Sequence, residues 1–226
     1  MEIAAQDVKK IRDMTVAVMM DCKKALAEAD GDFDKAIEIL RKKGQKLSVK
    51  RAEREAKEGV VIATVSEDNK RGVIVRLSSE TDFVAKNEDF ITLAKEFANL
   101  GLEKFPATKD EFMNLDFNGM TVGDKVTEQV GVIGEKIELA DYERLESDYI
   151  APYIHMGYKA GVLVGLNKEG DFEGPGRDVA MQVAAMKPVA VDKDGVDQSI
   201  IDKEIEIGKE QARQEGKPEQ IIEKIA

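Results

Sequence analysis

The sequence predicts an α+β fold, and three observations carry that prediction. An apolar segment recurs almost letter for letter, as Gly72-Val73-Ile74-Val75-Arg76-Leu77 and as Gly161-Val162-Leu163-Val164-Gly165-Leu166. Each copy follows a second strand-like segment and precedes a helical one. Ahead of both lie three short stretches with apolar residues at helical spacing, and behind them runs a charged segment with a narrow apolar stripe. A duplicated strand–turn–strand–helix unit implies two similar subdomains, each a small antiparallel sheet with helices on one face.

The first module, residues 1–45, reads as a three-helix bundle. Val8 and Ile11 form one apolar face, Ala25, Leu26 and Ala29 a second, and Phe33, Ala36, Ile37 and Leu40 a third. Asp30-Gly31-Asp32 is turn chemistry, with Asp32 an N-cap. Gly44 follows Arg41-Lys42-Lys43 and is expected to stop the third helix, the cations complementing its dipole. Residues 46–58 read as a basic helical linker in which Lys46, Lys50, Arg51, Arg54 and Lys57 face Glu53 and Glu55.

The first subdomain, 59–146, opens with strands Gly59–Val65 and Gly72–Leu77 and a helix from about Asn87 to Leu100. Val122–Val132 is helical and Lys136–Leu145 strand-like. The second subdomain, 147–195, is an incomplete copy: Tyr149–Met156, Gly161–Leu166 and a helix from about Arg177 to Ala185. From 196 to 226, Ile200, Ile201, Ile205 and Ala212 mark a stripe that Gly216-Lys217-Pro218 interrupts and Ile221, Ile222 and Ile225 resume. This pattern predicts the first helix, and the start of the second, of an antiparallel coiled-coil arm.

Composition narrows the function. Of 226 residues, 42% are hydrophobic and 35% charged, enough for a core under a well-solvated surface. No apolar run approaches a membrane span, and no signal-peptide pattern precedes Gln6, so no membrane association is expected. The lone Cys22 cannot form an internal disulfide and is expected as a small core residue in a reducing, cytoplasmic setting. The net charge of −11 is uneven: residues 1–58 hold 14 basic against 12 acidic residues, the remainder 20 against 33. An acidic body suits a protein partner better than a phosphate backbone, so no direct nucleic-acid binding is expected.

Catalytic chemistry has little to draw on, and no catalytic residue, cofactor or metal site is expected. His155 is the only histidine. No Cys/His set can hold zinc and no phosphate-binding Gly-rich loop precedes a Lys-Ser/Thr pair. Gly174-Pro175-Gly176-Arg177-Asp178-Val179 imitates a dinucleotide fingerprint but lacks its third glycine, and reads as a turn and helix start. Acidic pairs such as Glu80 with Asp82, or Glu88-Asp89, arise by chance in so acidic a chain.

The most informative segment is Ser79-Glu80-Thr81-Asp82-Phe83-Val84-Ala85-Lys86-Asn87-Glu88-Asp89-Phe90, a polar corner between strand and helix. Phe83 beside an acid on such a corner can present a wedge to a partner, or fold back as a staple on the following helix; the local pattern weights the two evenly.

Several motifs in order along the chain carry a resemblance. Thr81-Asp82-Phe83-Val84-Ala85-Lys86 and Met19-Met20-Asp21-Cys22-Lys23-Lys24-Ala25-Leu26 resemble the two signatures of the elongation factor Ts family. Gly31-Asp32, Lys35-Ala36-Ile37, Leu40-Arg41-Lys42-Lys43-Gly44, Ile133-Gly134-Glu135, His155, Gly161-Val162-Leu163-Val164, Ala180-Met181 with Val183-Ala184-Ala185, Lys187-Pro188 and Gly216-Lys217-Pro218 extend it.

The resemblance implies a guanine-nucleotide exchange factor rather than an enzyme, promoting GDP release from elongation factor Tu, GDP-bound or nucleotide-free. It implies that the first module is similar to a ubiquitin-associated bundle. Phe83 would be the wedge entering near the partner's magnesium site, with Asp82 anchoring its loop by hydrogen bonds and Thr81 and Val84 flanking it. Ile133 and Gly134 would form a second ridge, supported by His155. Arg12, Met19, Met20 and Lys23 would dock on the G domain, the methionines lying on a loop with one of them plugging the bundle core. Pairing with the partner could extend to a 2:2 assembly. Read without the resemblance, Ile133 is core, Gly134 a helix cap and His155 a strand-end histidine.

Two departures stand out. Thr15-Val16-Ala17-Val18 occupies the place where the family carries Thr-Gly-Ala-Gly, and the chain stops at Ala226, short of the family's returning arm helix and C-terminal module. Two other readings compete: a ubiquitin-associated-type binding scaffold without exchange activity, and an RNA-binding protein using Lys50, Arg51 and Arg54.

Overall fold

A computed structural model of the chain describes residues 3–15 and 17–226. Val16, one of the two valines at family glycine positions, lies outside the described residues. The chain divides into two compact units, Met1–Ala184 and Ala185–Ala226.

The first unit begins with three helices, α1 (Ala5–Thr15), α2 (Met19–Glu28) and α3 (Phe33–Arg51). Their apolar faces meet where the spacing put them, burying Val8, Ile11, Cys22, Ala25, Leu26, Ala29 and Ala36. Asp32 caps α3 as expected, its carboxylate accepting from the Lys35 amide at 3.1 Å. Gly44 does not end that helix. It lies inside α3, against α7 (Val122–Ile133), where a Cβ on Gly131 would stand 2.9 Å from the Gly44 Cα. The absent side chains let two helix backbones touch, so Gly44 serves close approach rather than termination. The expected linker helix is thereby shortened: α3 ends at Arg51, and 55–57 are irregular.

Strands β1 (Glu58–Val65), β2 (Arg71–Ser79) and β5 (Glu138–Glu146) form an antiparallel sheet with β2 central. Val73, Val75 and Leu77 alternate along β2 with their side chains inward. The one-turn helix α4 (Asp82–Ala85) leads to α5 (Glu88–Lys104), which lays Phe90, Leu93, Ala94, Phe97 and Ala98 on that face at helical spacing. The short α6 (Lys109–Met113) and the ribbon β3 (Asp116–Phe117) and β4 (Met120–Thr121) close the core. Phe97 meets Phe112 and Phe117 edge-on, and Phe112 stacks on Tyr142 with centroids 4.5 Å apart.

The hairpin β6 (Tyr149–Ile154) and β7 (Gly161–Leu166) pairs antiparallel, and α8 (Glu173–Met186) follows. Gly174, Pro175 and Gly176 fall in the first turn of α8, in line with a helix start rather than a nucleotide loop. The molecule thus mixes helices with small antiparallel sheets.

In the second unit, Asp197 caps α9 (Gln198–Gln214) by accepting from the Ser199 amide at 2.8 Å. Gly216 reverses the chain at φ 71°, and α10 (Glu219–Ile225) packs back with Ala212 and Ile222 buried. Among the described residues no helix is long and apolar enough to cross a membrane.

Candidate functional site

The corner between β2 and α5 is built to hold one side chain out. Ser79 is fully buried at the strand end, and Ala85 and Val84 face the core, which fixes the single turn of α4. Residues 82, 83 and 86 then point away. Phe83 is 84% exposed, so the staple alternative fails. Lys86 donates to Asp82 at 2.6 Å across the turn, and that pairing holds the Asp82 carboxyl below its ordinary range.

Two other carboxylates tie the corner down. Glu135 accepts from the Thr81 amide at 3.0 Å and from the Thr81 hydroxyl at 2.7 Å. Glu80 accepts from the Lys136 amide at 2.5 Å, from Arg51 at 2.8 Å and from Arg54 at 2.9 Å. Burial pushes the Glu80 carboxyl up, but the Lys136 amide and the two guanidinium groups outweigh it and hold it at about 2. Lys136 completes the lattice by donating to the carbonyls of Ala52 and Arg54 at 3.1 and 2.9 Å.

The second expected ridge lies on the same side. Ile133 ends α7, half-buried against the sheet core, and Gly134 caps the helix in the left-handed region at φ 81°. Phe83, Val84, Asn87, Phe90, Gln129 and Ile133 line one cleft. Thr81, Asp82, Phe83, Val84, Ile133 and Gly134 are therefore brought together. His155 sits exposed at the end of β6, its Nδ1 2.9 Å from the Tyr153 hydroxyl. In the turn after it, Lys159 pairs with Glu58 on β1, and its charge reaches Asp82.

Arg12, Met19, Met20 and Lys23 do not line the cleft. Arg12 and Lys23 are exposed on α1 and α2. The methionines are the first two residues of α2, not loop residues, and neither plugs the bundle: Met19 is 51% and Met20 59% exposed. Ala17, Cys22 and Leu26 fill that core instead. Val18 precedes them at φ −59°, ψ 133°, an extended conformation that suits a β-branched residue.

The residues that sequence reasoning missed are Glu80, Glu135 and Lys136. The only signal was Glu135 standing in a matching tripeptide; its partner lies 54 residues away. The same lattice weakens the RNA-binding reading, because Arg51 and Arg54 already face a carboxylate.

The family described as Elongation factor TS matches residues 80–226. An elongation factor Ts of Christiangramia forsetii is 55% identical over 226 residues, covering all of this chain and 82% of the relative. Those of Flavobacterium psychrophilum and Porphyromonas gingivalis are 53% and 45% identical, covering 99% and 100% of this chain and 81% and 82% of the relatives.

Proposed function

This chain belongs to the elongation factor Ts family, a family of translation elongation factors, and from that membership we propose that it releases GDP from elongation factor Tu. The observation that carries the reading is Phe83: a large apolar side chain held almost fully in water on a braced one-turn helix. A free chain gains nothing by exposing it, whereas burial in a partner contributes about 2–3 kcal/mol.

Exchange requires no bond-making. The factor and the nucleotide weaken each other's hold on the GTPase, and this coupling is reciprocal. Phosphate and magnesium contacts dominate nucleotide affinity in such proteins, so a wedge that displaces the elements carrying them accelerates release. Phe83 is that wedge, with Thr81, Asp82 and Val84 shaping its base, Ile133 and Gly134 forming the ridge across the cleft, and His155 at the flank. Arg12, Met19, Met20 and Lys23 form a separate dock on the G domain. In this reading 1–45 is a ubiquitin-associated-like bundle, 46–58 a linker, 59–146 and 147–195 two related subdomains, and 196–226 part of a coiled-coil arm. Complexes with the partner can assemble 2:2, in the cytoplasm.

The test is stopped-flow release of fluorescent GDP from elongation factor Tu with the chain and its Phe83→Ala form. Acceleration by the chain that falls roughly tenfold or more in Phe83→Ala is expected, from the burial lost. Equal acceleration by both forms would remove Phe83 from the mechanism. Binding without acceleration would favour the scaffold reading.

A further inference from the structure

The two carboxylates beneath the Phe83 turn are arranged reciprocally. Glu80 accepts the amide of Lys136, and Glu135 accepts the amide of Thr81. Each acid thus reaches across to the backbone of the residue beside the other, and the segments 80–81 and 135–136 are stapled side by side. Glu135 holds the Thr81 hydroxyl with its second oxygen, and Ser79 donates its own hydroxyl to the Thr81 carbonyl at 3.0 Å. Thr81 occupies the N-cap position of α4, yet its side chain makes no bond to that helix. The hydroxyl that would ordinarily cap the turn is directed to Glu135 instead.

The consequence is geometric. Phe83 lies two residues beyond Thr81 on a helix of one turn, which has no cooperative stability of its own. Ile133 and Gly134 lie immediately before Glu135. A single carboxylate therefore connects the end of one ridge to the root of the other. Glu80 adds a third element: through Arg51 and Arg54 it binds the end of α3 and the turn after it, and α3 packs against α2, the helix that carries the methionines.

We infer that Glu135 is a positioning residue for exchange, clamping Thr81 so that Phe83 and the Ile133–Gly134 ridge meet the partner as one rigid unit. The inference rests on the exchange reading above. Glu135 acts through Thr81 and need not touch the partner. Charge is not its essential property: a glutamine carbonyl can accept the Thr81 amide while its NH2 donates to the hydroxyl, which rotates to accept.

The decisive comparison is Glu135→Ala with Glu135→Gln in the full chain. In GDP release from elongation factor Tu, Glu135→Ala should lower the maximal rate about tenfold, the scale of losing hydrogen bonds to a charged group. The half-saturating concentration should stay within about twofold, because docking surfaces are untouched, and Glu135→Gln should restore most of the rate. Thr81→Val, which keeps the amide bond and loses the hydroxyl bond, should fall between them. In the free chain, hydrogen exchange at the amides of Thr81 and Lys86, which donate to Glu135 and to the Asp82 carbonyl, should speed up in Glu135→Ala and not in Glu135→Gln, with β2 amides unchanged as evidence of a folded sheet. Unchanged exchange at 81 and 86, or an undiminished maximal rate in Glu135→Ala, would overturn the inference. A wild-type chain that fails to release GDP would overturn the exchange reading and the functional half of this one, while the amide exchange still decides whether the clamp exists.

Discussion

Phe83 and the Met19–Met20 pair are both apolar side chains left in water at the start of a helix, and they are held to different degrees. The Phe83 turn is tied from below by Glu135 and by the neighbouring Glu80 lattice. Helix α2 also lacks a side-chain cap, and its first turn is tied only by the Lys43–Asp21 pair at 2.5 Å and by the Cys22 thiol donating to the Ala17 carbonyl at 3.5 Å. The side chains differ in the same sense. A phenyl ring turns about two bonds and keeps its shape, whereas an unbranched thioether adapts to whatever faces it. A wedge must arrive at a fixed place to displace something, while a dock need only adhere. The contrast between an aromatic clamped by two carboxylates and a methionine pair tied more lightly is what two such tasks require.

The substitution that would break this comparison most sharply is Phe83→Ala. Because the ring is 84% exposed, its removal should leave thermal stability unchanged while exchange falls by the tenfold or more expected above. A parallel loss of melting temperature would mean that the ring packs on its own chain, and the wedge argument would lose its basis.

The next effect concerns the seam that sets the spacing between the two sites. A side chain on Gly131 would collide with the Gly44 backbone, which cannot swing aside as a flexible side chain could. Gly131→Val should cost about 1–3 kcal/mol through overpacking. That corresponds to about 2–4 °C in melting temperature for each kcal/mol in a chain of this size. Exchange should fall through misplaced α3, since Arg51 and Arg54 would no longer reach Glu80 correctly. An unchanged melting curve would show that the helices can part at no cost.

Gly44 also shows where the sequence stops being legible. Its local context, three cations and then glycine, is what a helix terminus looks like, and the decisive neighbour lies far along the chain. Strands and long helices were legible because alternation and 3.6-residue spacing are local properties. The echoed segments accordingly fell within two residues of β2 and on β7 itself. Helix α6 and the β3–β4 ribbon were not legible, being too short to show a period. At the site, Phe83 announced itself as a hydrophobe in a polar corner. Glu80 and Glu135 did not, since acids are abundant here and only folding reveals which amides they meet. The methionines misled for a related reason: consecutive apolar residues suggest that one is buried, but Cys22 and Leu26 already fill that space.

Acid should loosen the Phe83 site through Glu80. Glu80 titrates at about 2 in the folded chain, below its ordinary 4.5, so it binds a proton less readily folded than unfolded. Its stabilising contribution is complete above pH 4.5 and is lost as pH falls towards 2. The protection of the Lys136 amide, measured against the intrinsic exchange rate at each pH, should therefore fall across that window in the wild-type chain. Glu80→Gln should flatten this fall, while amides at the start of α2 show no dependence on the substitution. An identical profile in Glu80→Gln would assign the acid response to another carboxylate.

The smallest effect should come from the methionines, and its form matters more than its size. Met19→Ala and Met20→Ala each remove a half-exposed, conformationally free side chain from a surface whose neighbours can re-pack, so each should cost about 0.5–1 kcal/mol of binding, or roughly two- to fivefold. If the pair is an adaptable dock, that cost appears in the half-saturating concentration of the exchange assay and leaves the maximal rate alone. Leucine at either position, similar in volume but with fewer torsions, should restore most of the loss. A fall in the maximal rate would mean that the start of α2 also needs a fixed position, and the two sites would then share one task rather than divide two.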